Sequence, residues 1–174
     1  MTLALDILKT LVVLWHVLAF AFGVVYVTHS YRAILGYLPY DRAWTGILRS
    51  ADVHLWLSGL AIIVLGMATA GFDAYLANPK LWAKTTVVIV WLLSTQFMRH
   101  YAMPRFLRGR AAAVLTASGV NVACWLFGAF LGCAKGMANG AASYELFLSL
   151  FGVTLMMAIA ASFWGFARAH KATI

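Results

Sequence analysis

Four histidines, His16, His29, His54 and His100, lie in or beside strongly apolar runs of this chain, and a lysine, Lys84, lies early in another. Imidazole is the commonest metal ligand in proteins, and an ionisable group inside an apolar run is by default a functional candidate. The sequence patterns of several other chemistries are missing: there is no Walker A loop, no GxGxxG, no HExxH and no CxxCH. Acidic residues are limited to Asp6, Asp41, Asp52, Asp73 and Glu145, all near the ends of apolar runs, so a carboxylate pathway for protons or sodium lacks its usual parts. Any chemistry here therefore falls to a bound cofactor.

The elements that position these residues follow from composition. With 64% hydrophobic and 10% charged residues the chain is far from the globular mix. Five apolar runs, 5–30, 53–72, 81–97, 112–134 and 146–167, have roughly the 20-residue length a helix needs to cross a bilayer. Lipid offers no partner to backbone N–H and C=O groups, so spans of this length are helices. The expected fold class is all-α, an integral membrane bundle of five transmembrane helices. The first run lacks a strongly basic start and meets Tyr31-Arg32 in place of a small-residue cleavage site, so it is expected to stay in the mature protein. The break 31–52, with Pro39, Tyr40 and Trp44, reads as an interfacial loop, and Asn78-Pro79 as the turn before the third helix. No repeat or linker divides the chain, which reads as a single domain, 1–174.

The net charge of +8 is unevenly placed. If the loops alternate, one side holds nine cations (Arg32, Arg42, Arg49, Arg99, Arg105, Arg108, Arg110, Arg168, Lys171) and the other holds four (Lys9, Lys80, Lys84, Lys135). The positive-inside rule then puts the N-terminus outside and the C-terminus in the cytoplasm, and no nucleic-acid partner is needed to explain the charge. The segment "FMRHYAMPRFLRGR", 97–110, reads as a basic loop in contact with headgroups.

With that orientation His29, His54 and His100 fall at the cytoplasmic boundary on three different helices. His16 lies 13 residues before His29, about 20 Å along the axis, in a layer shared with Lys84. Facing histidines on neighbouring bundle helices are a way to hold haem b, with Arg32, Arg49 and Arg99 near enough in sequence to pair with propionates. In the alternative reading His16 bonds a hydroxyl or carbonyl of a neighbouring helix, and Lys84 snorkels to the outer headgroups. His16, Phe20 and Gly23 share one face, as do Lys84, Val88, Trp91 and Thr95. Asn121, Gly128 and Gly132 suggest a helix interface in the fourth span. Cys124, Cys133, Met156 and Met157 are soft enough for Cu(I), although packing or lipid contact accounts for them more simply.

The segments "LKTLVVLWHVLAFAFGVVYVTHSYR", "LSGLAIIVLG", "NPKLWAKTTVVIVWLLSTQFMRHYAMPR" and "NVACWLFGAFLGCAKGM" resemble small membrane proteins of the copper-resistance D type and the related small, haem-containing protoporphyrinogen oxidases. The likeness covers the first four helices. It implies that His16 and Lys84 are the family's polar pair, with His16 binding haem.

The leading expectation is a membrane b-type haem protein of a bacterial cytoplasmic membrane. It would be an electron carrier or oxidoreductase with a quinone- or porphyrinogen-like partner, alone, as a homo-oligomer or in a larger membrane complex. The competing expectations are a cofactor-free accessory or assembly subunit and a copper-handling transport component. The charge asymmetry makes its own prediction: a reporter fused after the last residue reads out in the cytoplasm, and an external C-terminus would reverse every depth assigned above.

Overall fold

The computed structural model describes residues 3–39, 43–137 and 141–171. Tyr40, Asp41 and Arg42 of the interfacial loop lie outside them, as do the side chains of Trp44 and Lys135. In chain order the α-helices are α1 (Leu3–Ile34), α2 (Ala43–Ala70), α3 (Phe72–Leu76), α4 (Pro79–Phe97), α5 (Met103–Phe106), α6 (Ala112–Cys133) and α7 (Tyr144–Lys171). A π-helical turn, Met98–Ala102, joins α4 to α5. Among the described residues five stretches are long and apolar enough to cross a membrane: Leu3–Ile34, Arg49–Ala70, Pro79–Phe106, Ala112–Cys133 and Tyr144–Lys171. The chain is thus an all-α membrane protein, and the many large apolar side chains left exposed on these helices, such as Leu14, Phe22, Leu93, Val153 and Met156, are the surface lipid covers.

Two boundaries differ from the sequence reading, and both move a histidine. The helix expected to begin at Val53 begins at Ala43, so His54 sits three turns inside α2 and not at its entrance. Ten polar and apolar residues ahead of the apolar run continue the helix because none of them breaks it, Pro39 being the last proline upstream. The third span does not stop at Phe97 but passes through the π turn, which carries His100, into α5. Asn78 caps α4 as expected: its side chain accepts from the Lys80 backbone N–H at 3.0 Å, and Pro79 takes the first helical turn.

The chain divides into two compact units, Met1–Ser30 with Tyr40–Ala77 and Tyr31–Pro39 with Asn78–Ile174. In the first, α1 and α2 run antiparallel, since Lys9 near the start of α1 reaches Thr69 near the end of α2 (3.5 Å) while His16 meets Ser58. Tyr75 of α3 folds back over Gly66, where any Cβ would strike the ring, and burial pushes its phenol above the ordinary tyrosine range.

In the second unit α6 is the most buried span and packs against α4 and α7. Its core joins Ala123, Phe127 and Leu131 to Ala83 and Val87 of α4 and Phe147 and Phe151 of α7. Lipid tails are as apolar as these side chains, so helix association rests on close packing and small residues more than on the hydrophobic effect. Gly119 is the clearest case: a Cβ there would lie 2.6 Å from the Ile159 Cα and 3.0 Å from the Ala158 carbonyl oxygen. The 31–37 segment packs at the other end of α6 and α7, where Gly36 (φ +89°) ends α1 in a Schellman turn with Tyr37 N–H bonded to the Arg32 carbonyl and Gly36 N–H to that of Ala33.

Gly119→Val therefore forces backbone apart and is expected to lower stability in detergent by about 1–3 kcal/mol, read as the midpoint of thermal or SDS unfolding. Gly132→Ala, whose Cβ meets nothing within 4 Å, leaves the midpoint unchanged or slightly higher.

Candidate functional site

The first unit contains a polar layer built on two helices. On α2, the Ser58 hydroxyl is fully buried and points its proton back at its own helix, donating to the His54 carbonyl at 2.6 Å, with the Leu55 carbonyl at 3.2 Å. A hydroxyl has one proton. The short contact of 3.0 Å between Ser58 Oγ and His16 Nδ1 is therefore a bond in which Nδ1–H donates and Oγ accepts. In the neutral ring this fixes the tautomer, with the proton on Nδ1 and the lone pair on Nε2. The His16 ring lies over Gly59, where a Cβ would meet Cε1 at 3.5 Å, so the space above α2 at this point is filled by imidazole.

One residue back on α1, Trp15 meets the His54 ring edge-on at 6.0 Å between centroids. His54 and Ser58 are four residues apart and share a face of α2, so Trp15, His16, His54 and Ser58 form one layer. This corrects the depth inferred for His54. It stands level with Trp15 and His16, whereas His29 lies 14 residues further along α1 than Trp15, about 21 Å away along the axis. His54 is exposed on α2, and Trp15 beside it is 37% exposed.

The remaining candidates fall elsewhere. His29 is half-buried in the second half of α1. His100 is exposed on the π turn and belongs to the second unit, as do Arg32, Arg99 and Lys84, all exposed. Arg49 is exposed on α2. Of the expected cytoplasmic trio, then, His29 and His54 share a unit at different levels, and His16 and Lys84 belong to different units. Among the described residues no three His, Cys, Asp or Glu side chains gather as a metal-binding group. Cys124 is buried and Cys133 exposed, and Met156 and Met157 are among the most exposed apolar side chains of α7.

The second unit has polar groups that the sequence reading placed but did not connect. Asn121 of α6 donates through Nδ2 to Ser94 Oγ (2.9 Å) and the Ala117 carbonyl (3.0 Å), and its Oδ1 accepts from Thr95 (3.2 Å). That is a complete interhelical clasp, in agreement with the expected helix interface, although Gly119 and not Gly132 makes the close approach. Lys80, expected on the outer face with the other lysines, is buried and donates from Nζ to the Ala134 carbonyl at the C-terminus of α6 (2.8 Å). A cation at that helix end satisfies an orphan carbonyl and the negative end of the dipole. Ser58 was also missed, and its signal was present: a serine one turn after His54, inside an otherwise apolar run.

No family model, curated protein or solved structure matches the chain.

Ser58→Ala removes the acceptor for His16 while leaving its N–H at membrane depth, and is expected to cost about 1 kcal/mol in unfolding measurements. Ser149→Ala, which removes an exposed hydroxyl bonded only to its own helix at Glu145, should fall within roughly 0.5 kcal/mol of the parent.

Proposed function

We propose that this chain is a b-type haem protein of a bacterial cytoplasmic membrane, with His16 as an axial ligand and His54 as the second imidazole in the same layer. The observation that carries the reading is the orientation of His16. Protein ligands to metals commonly donate one ring N–H to a fixed acceptor, which holds the ring and sets the ligating nitrogen. Ser58 plays that part toward Nδ1, and it does so with its own proton committed to the backbone, so it has no competing role as a donor. Trp15 holds the His54 ring from the edge. One or two imidazoles suffice to hold a haem, and His16 and His54 are the two that this layer would offer. Bound there, the haem would supply a one-electron couple to a quinone- or porphyrinogen-like partner. The resemblance to small membrane haem oxidases, which places the family's histidine on His16, supports the same choice.

The orientation with the N-terminus outside follows from the charge asymmetry and belongs to this proposal. A cofactor-free accessory subunit is the competing reading, and the observation that favours it is that His16 and Ser58 already satisfy each other across the two helices. The two are separated by the absorption spectrum of the protein purified in detergent, oxidised and then dithionite-reduced, with haem quantified as the pyridine haemochrome. A haem spectrum is expected, abolished or shifted in His16→Ala and in His54→Ala, and retained in His29→Ala. Absence of haem after expression with ample haem supply, or a full parental spectrum in His16→Ala, would leave His16 as an interhelical hydrogen-bond donor only.

A further inference from the structure

One end of the second unit is densely cationic. Arg99 leaves the π turn, Arg105 ends α5, Arg108 and Arg110 flank Gly109, and Arg168 and Lys171 close α7. The packing of α6 against α7 brings two of these to one level. Gly119 lies against Ile159, so Arg110, nine residues before the one, stands level with Arg168, nine residues after the other. Arg32 joins them, because its segment runs along the same end of α7, with Tyr31 Oη donating to Ser162 Oγ (3.1 Å) and Tyr37 Oη to the Gly165 carbonyl (3.2 Å). The unit's one acidic residue, Glu145, is 23 residues before Arg168 on α7, about 35 Å away along the helix. Among the described residues, no acidic side chain of this unit stands beside the patch.

Two of the guanidiniums are held against outward-facing aromatic rings. Arg105 Cζ lies 3.5 Å from the centroid of Tyr101, whose other neighbour is Phe97, stacked at 4.8 Å. Arg168 Cζ lies 5.3 Å from the ring of Trp164, which is 65% exposed on the lipid-facing side of a spanning helix. Tyrosine and tryptophan settle at the level of lipid headgroups, so rings in this position fix the height of the cations beside them. Gly109 (φ +78°) turns the chain so that Arg110 N–H bonds back to the Arg105 carbonyl at 3.0 Å, which keeps Arg108 and Arg110 at the rim of the helices and away from any core.

We infer that this end of the second unit is a binding face for anionic phospholipid, in which the arginines engage headgroup phosphates. The chemistry favours phosphate: six of the seven residues are guanidiniums, whose planar fork pairs with two phosphate oxygens at once. It favours a lipid because the anchoring aromatics face outward from spanning helices, at the perimeter where headgroups stand. The headgroup that fits is one without a cation of its own, such as phosphatidylglycerol.

The test uses the full chain reconstituted with equal phosphatidylglycerol and phosphatidylcholine, re-extracted in mild detergent, with retained lipid quantified by mass spectrometry. Phosphatidylglycerol should be enriched roughly fivefold or more over phosphatidylcholine, the factor that corresponds to one well-placed cation at an anionic surface. The enrichment should fall toward parity in Arg108→Gln/Arg110→Gln/Arg168→Gln. It should also fall in the unaltered protein as salt is raised, a readout that needs no variant to fold. Equal retention of the two lipids by the unaltered protein, enrichment that is insensitive to salt, or a folded triple variant that keeps the full enrichment would overturn the assignment.

Discussion

Ser58 has one hydroxyl proton, and the backbone of α2 takes it. From that single commitment the rest of the polar layer follows: the oxygen can only accept, His16 must donate through Nδ1, and its lone pair is turned to Nε2. The same contact sets the register of α1 on α2 at this depth, which in turn brings Trp15 to His54. Lipid supplies no alternative partner for any of these groups, so exchanging them for water-bonded states is not open to the protein as it would be at a soluble surface.

The second unit meets the same constraint by other means. Asn121 has both of its Nδ2 protons and its Oδ1 engaged, and Lys80 caps the end of α6. Serines and threonines elsewhere on the spans bond back to their own helices, as Thr85, Thr154 and Ser162 do. Close packing at Gly119 then determines how α7 lies on α6, and through that which residues meet at the cationic end. Polar satisfaction in one unit and glycine packing in the other thus decide where the chemistry-bearing side chains stand.

The five spans were legible because a bilayer imposes a length and a composition that few other environments demand. Asn78-Pro79 was legible as a helix start, and Asn121 as a contact residue, for reasons local to each. The start of α2 was not. Its first ten residues mix polar and apolar types, so hydropathy puts the boundary at the membrane edge while the backbone remains helical for ten residues before it. Reading depth from hydropathy then grouped His54 with His29, and tertiary contact groups it with His16. Ser58 and Lys80 were hidden for a different reason. A serine or lysine near a span looks the same in sequence whether it meets water, its own backbone or another helix, and the choice depends on which helix packs against it.

The proposed role of the first unit rests on the charge state and orientation of one ring. Multinuclear solid-state NMR of histidine-ring-labelled protein in bilayers reads the protonation of each ring nitrogen directly, with the His16 signals identified by their loss in His16→Gln. A protonated Nδ1 and an unprotonated or metal-bound Nε2 are expected, with the Nδ1 signal moved by Ser58→Ala. A His16 ring protonated at Nε2 with a bare Nδ1 would contradict the proposed role, because Ser58 could then not be the acceptor and the nitrogen assigned to the ligand would be the wrong one.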